Sequence, residues 1–227
     1  KAYVARYAVW ATARARSAFC SGYGQQVPMV MSCQNGSVEG ARVLCAAMEE
    51  EALLGNDTPL QDMRIVAVAP YFGRELSTED YLAFYPDDRF FVELSELAST
   101  AAQNAVAVGR YVHGVRRCRF AVYECGQHVV AGKLGAEERE RARNYNQDER
   151  MGRAYTTLLE RLRKDLPPEC VCFYQLVQRP GGVDANTGGY ALGGFNWGLV
   201  EETSQHLADT AKGNAVHNAV LAWRASA

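Results

Sequence analysis

The 227-residue chain has no apolar stretch approaching the roughly 20 residues that a bilayer-spanning helix needs. Membrane insertion is therefore not expected. It also has no excess of charge of one sign. Its 24 basic and 26 acidic residues leave a net charge of −2, which gives no footing for a nucleic-acid or membrane-surface partner. The short basic runs, Arg116-Arg117 and residues 161–164, and the acidic run Glu49-Glu50-Glu51 read as solvated faces. No glycine-rich phosphate loop follows the first apolar run, where Ser32-Cys33-Gln34-Asn35-Gly36 stands instead. The cysteines lack zinc spacing, because Cys170-x-Cys172 has no second pair. Neither a metal nor a cofactor is expected, and no repeat at a solenoid period is visible. Nor does a methionine open the sequence. Lys1 leads directly into Tyr3, Tyr7, Trp10 and Ala13 at helical spacing, so a clipped or processed N-terminus is expected.

What is present is apolar material, 48% of the residues, enough to bury a sizeable core. Four apolar runs punctuate the chain at residues 27–33, 63–69, 119–124 and 170–177. Each is nearly continuous, as in strands of a parallel sheet buried on both faces. Helical patterns separate them. Residues 37–54 place Val38, Ala41, Leu44, Cys45, Met48 and Ala52 on one face, with Ser37 as N-cap and Gly55 as stop. Residues 90–115 suit a second helix. Residues 148–166 place Met151, Tyr155, Leu158, Leu159, Leu162 and Leu166 at helical spacing before Pro167-Pro168. A last helix is predicted over residues 202–223. Strands alternating with helices imply parallel βαβ units with right-handed crossovers. Four such units make half of an eight-unit barrel or a small doubly wound sheet.

Seven cysteines is an odd number, so at least one is free or paired outside the chain. Two glycosylation sequons, at Asn35 and Asn56, together with the cysteines favour an extracellular or cell-surface protein.

In parallel α/β folds chemistry gathers at the carboxyl ends of the strands. Here those ends read Ser32-Cys33-Gln34-Asn35, Ala69-Pro70-Tyr71-Phe72-Gly73, residues 123–128 and residues 174–178. Glu124 is the sharpest residue among them. A carboxylate closing a buried strand is desolvated unless it is hydrogen-bonded or functional. The plain alternative is a structural Glu bonded to loop amides. Gln127 and His128 read equally as loop polars, and Tyr71 and Trp197 as rim aromatics.

The order of these segments resembles a known family. Residues 67–73 (Ala-Val-Ala-Pro-Tyr-Phe-Gly), 123–128 (Tyr-Glu-Cys-Gly-Gln-His) and 148–151 (Asp-Glu-Arg-Met), then Asn196-Trp197-Gly198, are similar to the C-terminal half of a glycoside-hydrolase-like family often attached to cellulose-binding modules. The family resembles the clan of retaining (β/α)8 glycosidases. The resemblance implies an α/β fold, namely strands 5–8 and their helices from a TIM barrel. Residues 1–227 would form one half-barrel, with the N-terminal half missing or on another chain. It implies Glu124 as nucleophile, Tyr71 as the group that steadies it, and Trp197 as a stacking platform. Gln34, Gln127 and His128 would contact hydroxyls of a β-linked polysaccharide or oligosaccharide. The register would start Cys118 and Cys170 on adjacent strands, where a disulfide is expected.

Two departures stand against the family pattern. Cys125 replaces a Gly of the motif and Glu149 a Pro. Retaining hydrolysis also needs a second carboxylate about 5 Å from the first. In the resemblance that group belongs to strand four, upstream of Lys1. Glu75 and Asp80 follow the second run, and nothing favours them over exposed loop acids. A non-catalytic glycan-binding or structural component of an extracellular assembly is the alternative. A self-contained small α/β domain is the third reading.

Overall fold

The computed structural model describes residues 2–23, 27–54, 64–73, 89–129, 142, 144–174, 176, 198–200 and 203–225. The chain divides into two compact units. The first comprises residues 1–70, 103–124 and 165–172, and the second residues 71–102, 125–164 and 173–227.

The first unit is built around a parallel sheet. Helix α1 (Ala2–Tyr23) leads to β1 (Met29–Ser32), then α2 (Val38–Leu53), β2 (Arg64–Val68), the second half of α3 (Arg89–Arg116), and β4 (Arg119–Val122). The strand order is β1-β2-β4. Ser32 stands beside Ala67 and Val68 beside Val122. All five residues of β2 are buried, as its unbroken Ile65-Val66-Ala67-Val68 run demands of a central strand. β1 alternates instead, with Val30 half exposed, because it forms the edge. Helix α2 starts where Ser37 accepts the Gly40 amide at 3.0 Å, satisfying one of the helix's open donors. Its buried face takes Ala41, Leu44, Cys45 and Met48 from the predicted stripe and adds Ala47 and Glu51, whereas Val38 is exposed and Ala52 half-buried. Arg6 on α1 pairs with Glu50 on α2 at 2.8 Å. Gly109 is needed where α3 meets β4: a Cβ there would lie 2.5 Å from Leu166 and 2.9 Å from Phe120.

The second unit holds a two-stranded parallel sheet of β3 (Tyr71–Phe72) and β5 (Gly126–Gln127). It also holds the first half of α3, α4 (Glu149–Asp165) and α5 (Ala211–Arg224). Helix α4 buries Met151, Tyr155, Leu158, Leu159 and Leu162. Phe72 meets the Tyr155 ring edge-on at 5.2 Å. Thr210 caps α5 by accepting the Gly213 amide.

The expected half-barrel is not formed. The described residues are 65% helical, and the sheets have three and two strands rather than four in one. The runs at 27–33, 63–69 and 119–124 do contain β1, β2 and β4. The run at 170–177 contains no strand among its described residues and contributes one parallel bridge, Val171 to Val122, flanked by the backbone hydrogen bonds from Glu169 to Phe120 and from Tyr174 to Cys125 at 2.8 and 3.1 Å. That run lies outermost, beside β4, with Cys170 and Cys172 facing solvent, so it is an edge segment and not the inner strand of a four-stranded half-barrel.

Candidate functional site at the carboxyl edge

The parallel register brings three strand ends of the first unit to one edge. The Cys33 amide donates to the Ala67 carbonyl at 2.9 Å, and the Tyr123 amide to the Val68 carbonyl at 3.1 Å. The ladder thus runs one residue past β1 and β4 before the chain leaves it. Gln34 follows on one side of β2 and Glu124 on the other. Strands two apart in a sheet lie roughly 10 Å from each other, so the two side chains emerge at one edge with β2 between them.

Glu124 is half-buried and Gln34 is exposed. Glu124 lies in the bend between β4 and β5, where the chain stops pairing with β2. A carboxylate at a parallel strand end keeps one side toward solvent and so can act as an acceptor or a nucleophile. Asn35, half-buried, occupies the turn that leads to the Ser37 cap, and the Ser37 amide donates to the Gln34 carbonyl at 3.0 Å. A turn held from both sides gives Gln34 a fixed base.

The remaining candidates belong to the second unit. Tyr71 is half-buried in β3 and meets the exposed His128 ring edge-on at 5.8 Å. Gln127 is fully buried, and its Oε1 accepts the Val129 amide. Its backbone amide donates to the Tyr155 hydroxyl at 3.1 Å. Burial pushes the Tyr155 hydroxyl pKa up, so it stays protonated and serves as a neutral anchor. These contacts give the Gln127 carboxamide a structural role in shaping the β5 turn. Gly126 has φ +145°, and a Cβ on it would lie 3.1 Å from the Tyr155 oxygen. That position therefore needs glycine. Trp197, Asn56, Glu75 and Asp80 lie outside the described residues.

The structure thus brings Glu124 and Gln34 to one edge in the first unit, and Tyr71 and His128 to one face in the second. No disulfide joins any of the seven cysteines. Cys118, expected to pair with Cys170, is in hydrogen-bond contact with Cys45 instead. Comparison with family models, with curated proteins and with solved structures finds no match.

Proposed function

We propose that the protein acts on or binds a β-linked glycan through the carboxyl edge of its three-stranded sheet, with Glu124 as the nucleophile of a retaining mechanism. The observation that carries this reading is the position of Glu124. It is a half-buried carboxylate immediately past the end of a parallel strand, where enzymes of parallel architecture collect their reactive groups. The resemblance of residues 123–128 to a glycosidase-like strand end supports it. In the reaction Glu124 attacks the anomeric carbon as the leaving oxygen takes a proton from a second carboxyl group. That group comes from another protein chain or another part of the protein. Water then releases the sugar from Glu124. Gln34, at the same edge of the first unit, would contact the sugar. An extracellular setting accompanies this reading, supported by the two sequons.

The test is Glu124→Gln in the complete protein. Loss of aryl β-glycoside hydrolysis with retained oligosaccharide binding supports the assignment, and undiminished turnover refutes it. A non-catalytic glycan-binding role is the second reading. It is favoured by Cys125, a fully buried thiol where the resembling motif has Gly.

A further inference from the structure

At the opposite edge of the same sheet, two thiols meet out of solvent. Cys45, from the middle of α2, is 1% exposed, and Cys118, just ahead of β4, is 3% exposed. Their side chains are within hydrogen-bond contact, and the Cys118 thiol also reaches the Arg116 carbonyl, donating at 3.7 Å. The turn that presents Cys118 is tightly held. Its amide donates to the Val112 carbonyl at 2.9 Å, and Arg117 before it takes φ +53°. One helical turn past Cys45, Glu49 accepts two hydrogen bonds from the Arg116 guanidinium at 3.1 and 3.2 Å. That ion pair fastens α2 to the end of α3 beside the thiols.

A third group completes the cluster. Arg64 opens β2 as Cys118 precedes β4, and Ile65 stands beside Arg119. Arg64 is 8% exposed, and its Nε has no hydrogen-bond partner among the described residues. A buried guanidinium nitrogen without an acceptor is costly. An anionic sulfur in the neighbouring position would relieve that cost.

We propose that Cys45 and Cys118 form a redox-active dithiol that a small peroxide converts to an intrachain disulfide. Cys118 is the attacking sulfur. Its thiol pKa is held below the ordinary cysteine value, first by the hydrogen bond from Cys45 and then by the Arg64 and Arg116 cations. Burial and Glu49 act in the opposite sense. The Cys45 thiol is held protonated by the same contact and by burial. The Cys118 thiolate attacks one peroxide oxygen. The O–O bond breaks, giving a sulfenic acid and hydroxide, which takes up a proton. The Cys45 sulfur then attacks the Cys118 sulfur. The S–O bond breaks, the S–S bond forms, and water leaves with the Cys45 proton. Overall two thiols and one hydrogen peroxide give one disulfide and two waters. Burial selects a small oxidant, because a peptide disulfide has no access to sulfurs this enclosed.

The contact must shorten to the S–S bond length of about 2 Å, a movement that α2 and the Cys118 turn share. The exposed Cys170 and Cys172 are the competing pair, and their side chains are also within hydrogen-bond contact.

The intact protein is treated with equimolar hydrogen peroxide, denatured in N-ethylmaleimide and mapped by non-reducing proteolysis and mass spectrometry. The expected product is a peptide carrying Cys45 cross-linked to Cys118. It should disappear on treatment with dithiothreitol. In the Cys172→Ser protein the same cross-link should form at an unchanged rate. In Arg64→Met it should form several-fold more slowly, because loss of the neighbouring cation lowers the thiolate population. Recovery of both Cys45 and Cys118 as maleimide adducts after peroxide overturns the proposal. So does a cross-link confined to Cys170 and Cys172.

Discussion

The two edges of one three-stranded sheet carry opposite chemistry. At the carboxyl edge Gln34 is exposed and Glu124 half-buried, so polar groups meet solvent where a ligand can reach them. At the amino edge Cys45, Cys118 and Arg64 are buried, and their chemistry is confined to what can diffuse in. The same parallel ladder causes both. It ends every strand at one edge and starts every strand at the other, so residue types specified by position along the chain become clustered in space. The carboxyl edge is suited to exchange with a substrate. The amino edge is suited to a reaction between neighbours.

The sharpest way to separate the edges is Glu124→Gln. Turnover of an aryl β-glycoside should fall by about a thousandfold or more, as loss of a directly participating group does. The midpoint of denaturant unfolding should stay nearly unchanged, because the side chain is half exposed. A parallel loss of stability would make Glu124 structural.

The next largest effect joins the edges. Met48 on α2 is 2% exposed, in the helix that carries Cys45 and whose N-terminal cap follows Gln34. Met48→Ala should destabilise the first unit by about 2–5 kcal/mol. Urea denaturation would measure it. A change below about 1 kcal/mol would show that α2 is not held by that face.

Gly109→Ala tests how the amino edge is closed. The added methyl would meet Leu166 at 2.5 Å and Phe120 at 2.9 Å, so overpacking of about 1–3 kcal/mol outweighs the gain of up to about 1 kcal/mol in helix propensity. A stabilised variant would contradict the close packing of α3 on β4. At the carboxyl edge, Ser37→Ala removes the acceptor of the Gly40 amide and should cost about 1 kcal/mol. It should also loosen the turn that carries Gln34, which a lower melting temperature would record.

The smallest effect is a pH dependence at the start of β4. Glu169 accepts from Arg119 at 2.7 Å, which holds its carboxyl below the ordinary carboxylate range. A lowered folded-state pKa stabilises the protein above the unfolded value, about 4.3 for Glu. The contribution is lost as pH falls through the lowered folded value. Both side chains are more than a third exposed, so screening keeps the loss below about 1 kcal/mol. Stability curves of wild type and Glu169→Gln between pH 6 and pH 2 should converge at the acid end.

Much of the local order is legible in the sequence. The Ile65-Val66-Ala67-Val68 and Phe120-Ala121-Val122 runs mark β2 and β4 because a strand buried on both faces leaves no room for polar alternation. Ser37 marks the start of α2, and the Met151 to Leu162 spacing marks the buried face of α4. What composition hides is how far pairing continues. The 170–177 run has the residue types of a strand, yet Cys170 and Cys172 face solvent and it keeps only a bridge and its flanking backbone hydrogen bonds to the residues of and beyond β4. Apolar composition does not distinguish that outcome from an inner strand, so it points to half a barrel where the structure has sheets of three and two strands. The gathering of Ser32, Val68 and Val122 at one edge is legible because parallel pairing brings every strand's carboxyl end together. The amino edge was only half legible. The register drew attention to Cys118, but its partner is Cys45 from a helix, and helix-to-strand contacts leave no spacing rule in the sequence.

The most direct measurement traps the covalent intermediate. A 2-deoxy-2-fluoro β-glycosyl fluoride reacts with a retaining nucleophile and stalls there. The complete protein treated with this reagent, digested and mapped by mass spectrometry, should carry one sugar on Glu124, and Glu124→Gln should carry none. A label on any other carboxylate, or hydrolysis that persists in Glu124→Gln, would contradict the assignment of the carboxyl edge as the reacting site.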